Sequence, residues 1–321
     1  MFYFLTNFFS FVLLLSHSDT LSLISVPGSG GDLAGDQNLK TLIMNMFGGD
    51  WTKIKIEILV EYAKAYLTIM NKRSFFRLMY FDGFAGSGFI VSGRQENVEM
   101  TVGAARRIIE LADPRPFDSY YFVEKDSKNF VTLLKSTKES FPKKRIFAVQ
   151  EDCNKKIIDL ANFLRDPKNK NYRTLAYVDP CGMQVEWRSI ESLRGLPIDM
   201  WILVPTGLGV NRLLKNNGQI SEAWLEKLEL FLGLARDDIE KYFYRKTQTL
   251  FPDMINVKKE RDAIDKSAKL YRKRLKEVFQ FVSFPYELRN STNSPMYHLF
   301  LTSNNDKAVK IANDIVRKYN T

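Results

Sequence analysis

The 321-residue chain holds only two cysteines, Cys153 and Cys181, and two histidines, His17 and His298. Two thiols supply neither a disulfide framework nor a cysteine zinc site. The histidines stand far apart with no acid at metal-ligand spacing, which argues against a zinc enzyme and against a histidine-based triad. His298 falls in the apolar run 296–301 and reads as a satisfied sheet residue. No lysine or arginine precedes Lys40, so the apolar stretch 2–15 lacks the basic start of a secretory signal, and it is short for a bilayer span. No stable membrane span is expected elsewhere. The chain has no solenoid-period repeat and no low-complexity tract that would suggest a scaffold. It also lacks the G-x-G-x-x-G dinucleotide fingerprint and a Gly-Lys-Ser/Thr phosphate loop, so NAD and ATP both lose ground.

What is present is a globular composition, 45% hydrophobic and 26% charged, with enough length to bury one large α/β core and carry an appended subdomain. Residues 1–40 read as an extension and linker, with segment 26–37 rich in Gly, Ser and Asp. A signal or anchor at the start is the other reading of that region. Helix periodicity begins at Asp50 and Trp51 and runs to Met70, placing Ile54, Ile58, Tyr62 and Ala65 on one face.

The most informative stretch is 78–88, LMYFDGFAGSG, in which an apolar run ends in Asp82 and turns through Gly83, Ala85, Gly86 and Gly88. A buried parallel strand delivers its carboxyl end to a ligand in this way, because glycines admit close approach and positive φ while the acid accepts from ligand amines or hydroxyls. The pattern recurs. Segment 119–124 ends in Glu124, segment 145–150 leads into Asp152, segment 174–179 ends in Asp179, and a fifth apolar run covers 199–205. Each acid has a plainer alternative as the cap of the following helix. The polar segment 91–97 reads as an inserted loop. Five strand-like runs separated by helix-length stretches predict a doubly wound, Rossmann-like α/β sheet over 41–215. An inserted basic helical subdomain follows over 216–279. A closing antiparallel hairpin, 280–288 with 295–303, and a last helix complete the core over 280–321.

The set DGFAGSG, FVEKD, EDCN and DP-x-G resembles the three-Cys-motif partner (TcmP) family, whose fold is that of class I S-adenosylmethionine-dependent methyltransferases. Trp51, Lys55 and the late strand YHLFLTS join the resemblance, which covers about 45–318. It implies that Asp82, Gly83, Ala85 and Gly86 surround the methionine part of S-adenosylmethionine, that Glu124 binds the ribose hydroxyls and Asp152 the adenine amine, and that Asp179 and Pro180 face the methyl acceptor. It also implies a three-Cys-motif partner that looks like a radical S-adenosylmethionine enzyme. The residues agree with such a cofactor, since a sulfonium, an ammonium, a diol and an amine need acceptors and no phosphate-binding lysine.

At the fourth strand end the sequence is Asp179-Pro180-Cys181-Gly182. Base amino-methyltransferases show Pro-Pro-aromatic there, so stacking of a base would fall to Trp187, Tyr177 or another ring. Cys181 is a candidate nucleophile only with a depressed pKa, and Arg188 is its nearest cation in sequence. The formal charge is +10, and residues 241–276 hold twelve Lys or Arg against four Asp or Glu. The interleaved rings Tyr242, Phe243, Tyr244, Phe251 and Tyr271 add possible base stacking to a polyanion-binding segment, for DNA or RNA. Three functions are therefore carried forward: a cytoplasmic methyltransferase acting on nucleic acid, a partner protein with little catalysis of its own, and a small-molecule methyltransferase.

Overall fold

The computed structural model describes residues 50–92, 99–216, 218, 220–248, 255–260 and 262–320. The expectations for residues 1–40 and for Phe251 lie outside that set. Helix α1 (Asp50–Asn71) precedes strand β1 (Arg77–Asp82), the hairpin β2 (Phe89–Ser92) and β3 (Glu99–Val102), and the short α2 (Ala104–Ile109). Next come β4 (Ser119–Glu124), α3 (Ser127–Ser140), β5 (Ile146–Gln150), α4 (Cys153–Arg165), β6 (Tyr172–Val178), α5 (Trp187–Glu191) and β7 (Ile198–Val204).

Strands β1, β4, β5, β6 and β7 are parallel, in the spatial order β5-β4-β1-β6-β7. The chain walks outward from β1 through β4 to β5, then returns to β6 on the other side of β1. The order thus reverses between β1 and β6, which is where ligands lie in open α/β sheets. Both faces are covered, and the apolar runs divide by alternation. Met79, Phe81, Tyr121, Val123, Ala176 and Val178 face a core shared with α4 and α5. Leu78, Tyr80, Tyr120, Phe122, Leu175 and Tyr177 face α1 and α2. A strand buried on both faces has to be apolar throughout, which is why these runs were legible.

After β7 a π-helical turn (Thr206–Val210) leads through the single turn α6 (Asn211–Leu213) to α7 (Glu222–Leu232) and α8 (Arg236–Phe243). Segment 216–279 is not wholly helical. Between α8 and α9 (Ala263–Val278) it forms an antiparallel hairpin of β8 (Tyr244–Gln248) and β9 (Ile255–Lys259). Leu228, Phe231, Phe243, Tyr271 and Leu275 join the same core as Phe81 and Val178, so these helices cover one face of the sheet.

Strand β12 (Pro295–Ser303) adds antiparallel to β7, and both β10 (Phe281–Val282) and β11 (Tyr286–Arg289) pair with it. The expected first arm of the hairpin is split because Pro285 has no N–H to donate. Ser283 bridges the gap, donating its N–H to the Leu301 carbonyl and accepting the Leu301 N–H at its hydroxyl, each at 2.9 Å. Helix α10 (Asp306–Arg317) packs on α1. Strand order, parallelism and the antiparallel β12 together make this a Rossmann-like, doubly wound α/β fold. Among the described residues no helix is long and apolar enough to cross a membrane.

Candidate functional site

The carboxyl ends of β1, β4, β5 and β6 bring the predicted residues to one edge of the sheet. Register aligns Asp82 with Phe122 on β4 and Tyr177 on β6, and Glu124 with Gln150 on β5. The loop after Asp82 is tied to both neighbouring strands. Gly83 donates its N–H to the Tyr177 carbonyl at 2.9 Å, and Ala85 to the Val123 carbonyl at 3.0 Å. Gly86 has φ +62° and Gly88 φ +80°, a region that side-chain-bearing residues rarely occupy. At Gly83 the constraint is space, since a Cβ there would stand 2.6 Å from the Cys153 sulfur.

Asp82 is 1% exposed. Its carboxylate accepts from the Phe84 N–H at 3.1 Å and the Tyr80 hydroxyl at 3.2 Å. Burial pushes its pKa up to about 7, opposed by the Phe84 hydrogen bond and assisted by nearby Asp179. An acid held this way is poised to ionise when a cation arrives. Glu124 is half-buried and accepts from the Gly86 N–H at 2.8 Å and the Asp126 N–H at 2.7 Å. It does not cap α3, because Asp126 does so by accepting from the Asn129 N–H at 2.9 Å. Glu124 instead fixes the glycine loop, a task that sequence reasoning missed. Asp152 is the N-cap of α4, accepting from the Asn154 N–H at 2.9 Å, and its other oxygen meets Lys125 at 3.2 Å.

On the β6 side, Asp179 is not free. Lys55 Nζ lies 2.6 and 2.8 Å from its two oxygens, and the Tyr177 hydroxyl donates to it at 3.0 Å. The ion pair is largely buried, with side-chain exposures of 8% for Lys55 and 17% for Asp179. The Trp51 ring lies 4.9 Å from the ammonium and stacks on Tyr297 at 5.3 Å, and the Tyr297 hydroxyl donates to the Cys181 carbonyl at 3.2 Å. The resemblance takes in Lys55, whose partner in the structure, Asp179, lies 124 residues away. Pro180 is buried beside this pair. The Cys181 thiol is pushed above its ordinary value by desolvation and by Asp179, against the pull of Lys55, and Arg188 is occupied by Glu186 at 2.5 Å. These surroundings disfavour a thiolate nucleophile.

The rings expected to stack on a base are buried. Tyr177 is 1% and Trp187 4% exposed, and Trp187 packs edge-on against Tyr271. Phe243, Tyr244 and Tyr271 are likewise core residues. Several cations of segment 241–276 hold the fold together. Arg274 donates to the Leu232 and Gly233 carbonyls, Arg272 to those of Val282 and Ser283, Lys259 to those of Asn211 and Leu214, and Lys266 pairs with Glu260. Lys269, Lys273 and Lys276 are exposed, and their spacing sets them on one face of α9.

No protein-family model matches the sequence, and no curated protein is significantly similar to it. Solved structures are similar in shape. A protein of family DUF519 from Legionella pneumophila aligns over 85% of this chain and 93% of its own, with TM-score 0.48 and 14% identity. An rRNA methylase from Streptococcus thermophilus aligns over 71% and 88%, with TM-score 0.33 and 9% identity. Trm1 from Pyrococcus horikoshii, solved with S-adenosyl-L-methionine, aligns over 82% and 70%, with TM-score 0.34 and 12% identity. The fold of this chain is defined by the strand order and register of its own sheet.

Proposed function

We propose that this protein binds S-adenosylmethionine at the carboxyl ends of β1, β4 and β5 and transfers its methyl group to a nucleic acid. The observation that carries this reading is the placement of Asp82, Glu124 and Asp152 along the carboxyl edge of β1, β4 and β5, with Asp82 and its positive-φ glycine loop bordering the point between β1 and β6 where the strand order reverses. Buried Asp82 suits an ammonium. Glu124 keeps lone pairs beyond its two backbone contacts for a diol, and Asp152 keeps acceptor capacity beside its cap for an amine. When bound, the cofactor supplies an activated methyl on a sulfonium leaving group. The protein's work is then to orient the acceptor and exclude water, which needs little acid–base equipment. The exposed lysines Lys269, Lys273 and Lys276 support a polyanionic acceptor through charge, without ring stacking. Since this cofactor is made inside cells, the reading implies a cytoplasmic protein.

A second reading, a TcmP-type partner acting with a three-Cys-motif protein, is favoured by one observation. Lys55 pairs with both oxygens of Asp179 and the Tyr177 hydroxyl adds a third contact, so an acceptor amine there would have to share the carboxylate with a cation that already neutralises it. Calorimetric titration of S-adenosylmethionine into wild type, Asp82→Ala and Glu124→Ala tests both readings. Micromolar binding lost in both variants supports the site, and labelled-methyl transfer to RNA or DNA then supports the enzyme. Binding without turnover on any acceptor favours the partner role. No binding by folded wild type overturns the autonomous enzyme and leaves the partner-dependent role, and turnover on a small acceptor that ignores the lysines favours a small-molecule methyltransferase.

A further inference from the structure

The sequence reads His298 as a satisfied sheet residue, and its distance from any acid argues against a zinc enzyme. The tertiary structure changes its company. His298 on β12 faces Glu287 directly across the β11–β12 ladder, and Asp265 from the first turn of α9 closes over the pair. One ligating atom from each of the three residues lies within 4.8 Å of the others.

The roles of the remaining atoms are already assigned. The Nδ1 of His298 lies 2.7 Å from the hydroxyl of Thr206, a fully buried residue of the π-helical turn. Glu287 Oε1 is taken by the Arg289 guanidinium, which leaves Oε2 turned towards His298 Nε2 at 3.6 Å. That separation is too long for a hydrogen bond, which closes at about 2.7–3.2 Å. It is close to the spacing of two ligands on one zinc ion, since bonds of about 2.0–2.1 Å in a tetrahedron hold neighbouring ligand atoms about 3.3 Å apart. A second partner on the other ring nitrogen is the usual arrangement around a metal-bound histidine, because it fixes the ring's orientation.

We propose that Asp265, Glu287 and His298 form a binding site for a divalent cation of the zinc class, with Thr206 as the positioning residue behind the histidine. One imidazole and two carboxylates are a donor set for zinc or a similar first-row ion, and three protein ligands leave a fourth position open. Asp265 is exposed and His298 is 4% exposed, so an ion enters from solvent beside α9 and meets the histidine at the base of the site. The bound ion would pin the start of α9 to the β11–β12 ladder. This inference is independent of the cofactor assignment.

The test uses full-length protein stripped with a chelator, then titrated calorimetrically with Zn2+ and, separately, with Co2+ followed by visible absorption. The expected result is one ion per chain and a Co2+ spectrum of low coordination number. Asp265→Asn, a change at the surface that leaves the core intact, should weaken Zn2+ binding by at least about tenfold, and His298→Gln should abolish it. Thr206→Val should weaken it by about 10–100-fold while leaving the stoichiometry at one. Absence of stoichiometric binding to folded wild type overturns the proposal. So does Zn2+ binding that survives both Asp265→Asn and His298→Gln, since the ion is then held elsewhere, for example by Cys181.

Discussion

If a cation binds beside Asp82, binding must release a proton. The carboxyl is fully desolvated and its pKa stands at about 7 against an ordinary 3.8. At pH 6 about nine-tenths of the unliganded protein therefore carries the proton, and at pH 8 about one-tenth does. The ammonium of S-adenosylmethionine favours the ionised carboxylate, so its binding expels the proton. Titration calorimetry in buffers of different ionisation enthalpy should report about 0.9 protons released at pH 6 and about 0.1 at pH 8, with affinity rising about tenfold per pH unit below 7 and levelling above it. Asp82→Asn keeps an acceptor for the Phe84 N–H and a polar partner for Tyr80, and should remove the pH dependence. Stability carries the same signature with its sign fixed. The folded state holds a proton that the unfolded chain releases above about pH 4, so stability falls as pH rises from about 4 to about 7, by at most about 4 kcal/mol. Asp82→Asn should flatten that fall. Buffer-independent binding enthalpy at pH 6, with the wild type fully active in binding, would refute the reasoning.

Three other outcomes follow from the geometry. Lys55→Met leaves Asp179 buried and unpaired, which should cost about 2–3 kcal/mol and lower Tm by about 4–10 °C, while Lys55→Met with Asp179→Asn should regain most of it; a single variant as stable as wild type in calorimetric melting would contradict the ion pair. Gly83→Ala drives a methyl into the Cys153 sulfur and should destabilise by about 1–3 kcal/mol in urea unfolding. Combining it with Cys153→Ala should restore stability, and no rescue would mean that the loop backbone itself cannot accept a side chain. Lys269→Glu, Lys273→Glu and Lys276→Glu together should lower the slope of log K against log salt for duplex DNA by about 0.9 per lost contact, and an unchanged slope would move the polyanion surface away from α9.

The sequence by itself determined the sheet and the acids at its edge. Strands buried on both faces must be apolar along their whole length, so 78–82, 119–124, 174–178 and 199–204 were readable as strands, and an acid at the end of such a run has to emerge at the carboxyl edge. Local periodicity does not say which distant groups meet, and there only the tertiary structure decided. It placed Lys55 on Asp179 by packing α1 across the end of β6, and it turned Glu124 from a possible cap into the anchor of Gly86. It converted the rings of a basic segment into core, because amphipathic α9 buries the face that holds Tyr271 and exposes the one that holds Lys269 and Lys273. It also set Asp265 and Glu287 beside His298. Their spacing in the chain argued against a zinc enzyme, yet cross-strand register and the docking of one helix bring the three side chains together, since antiparallel pairing and helix packing join residues that no sequence interval connects.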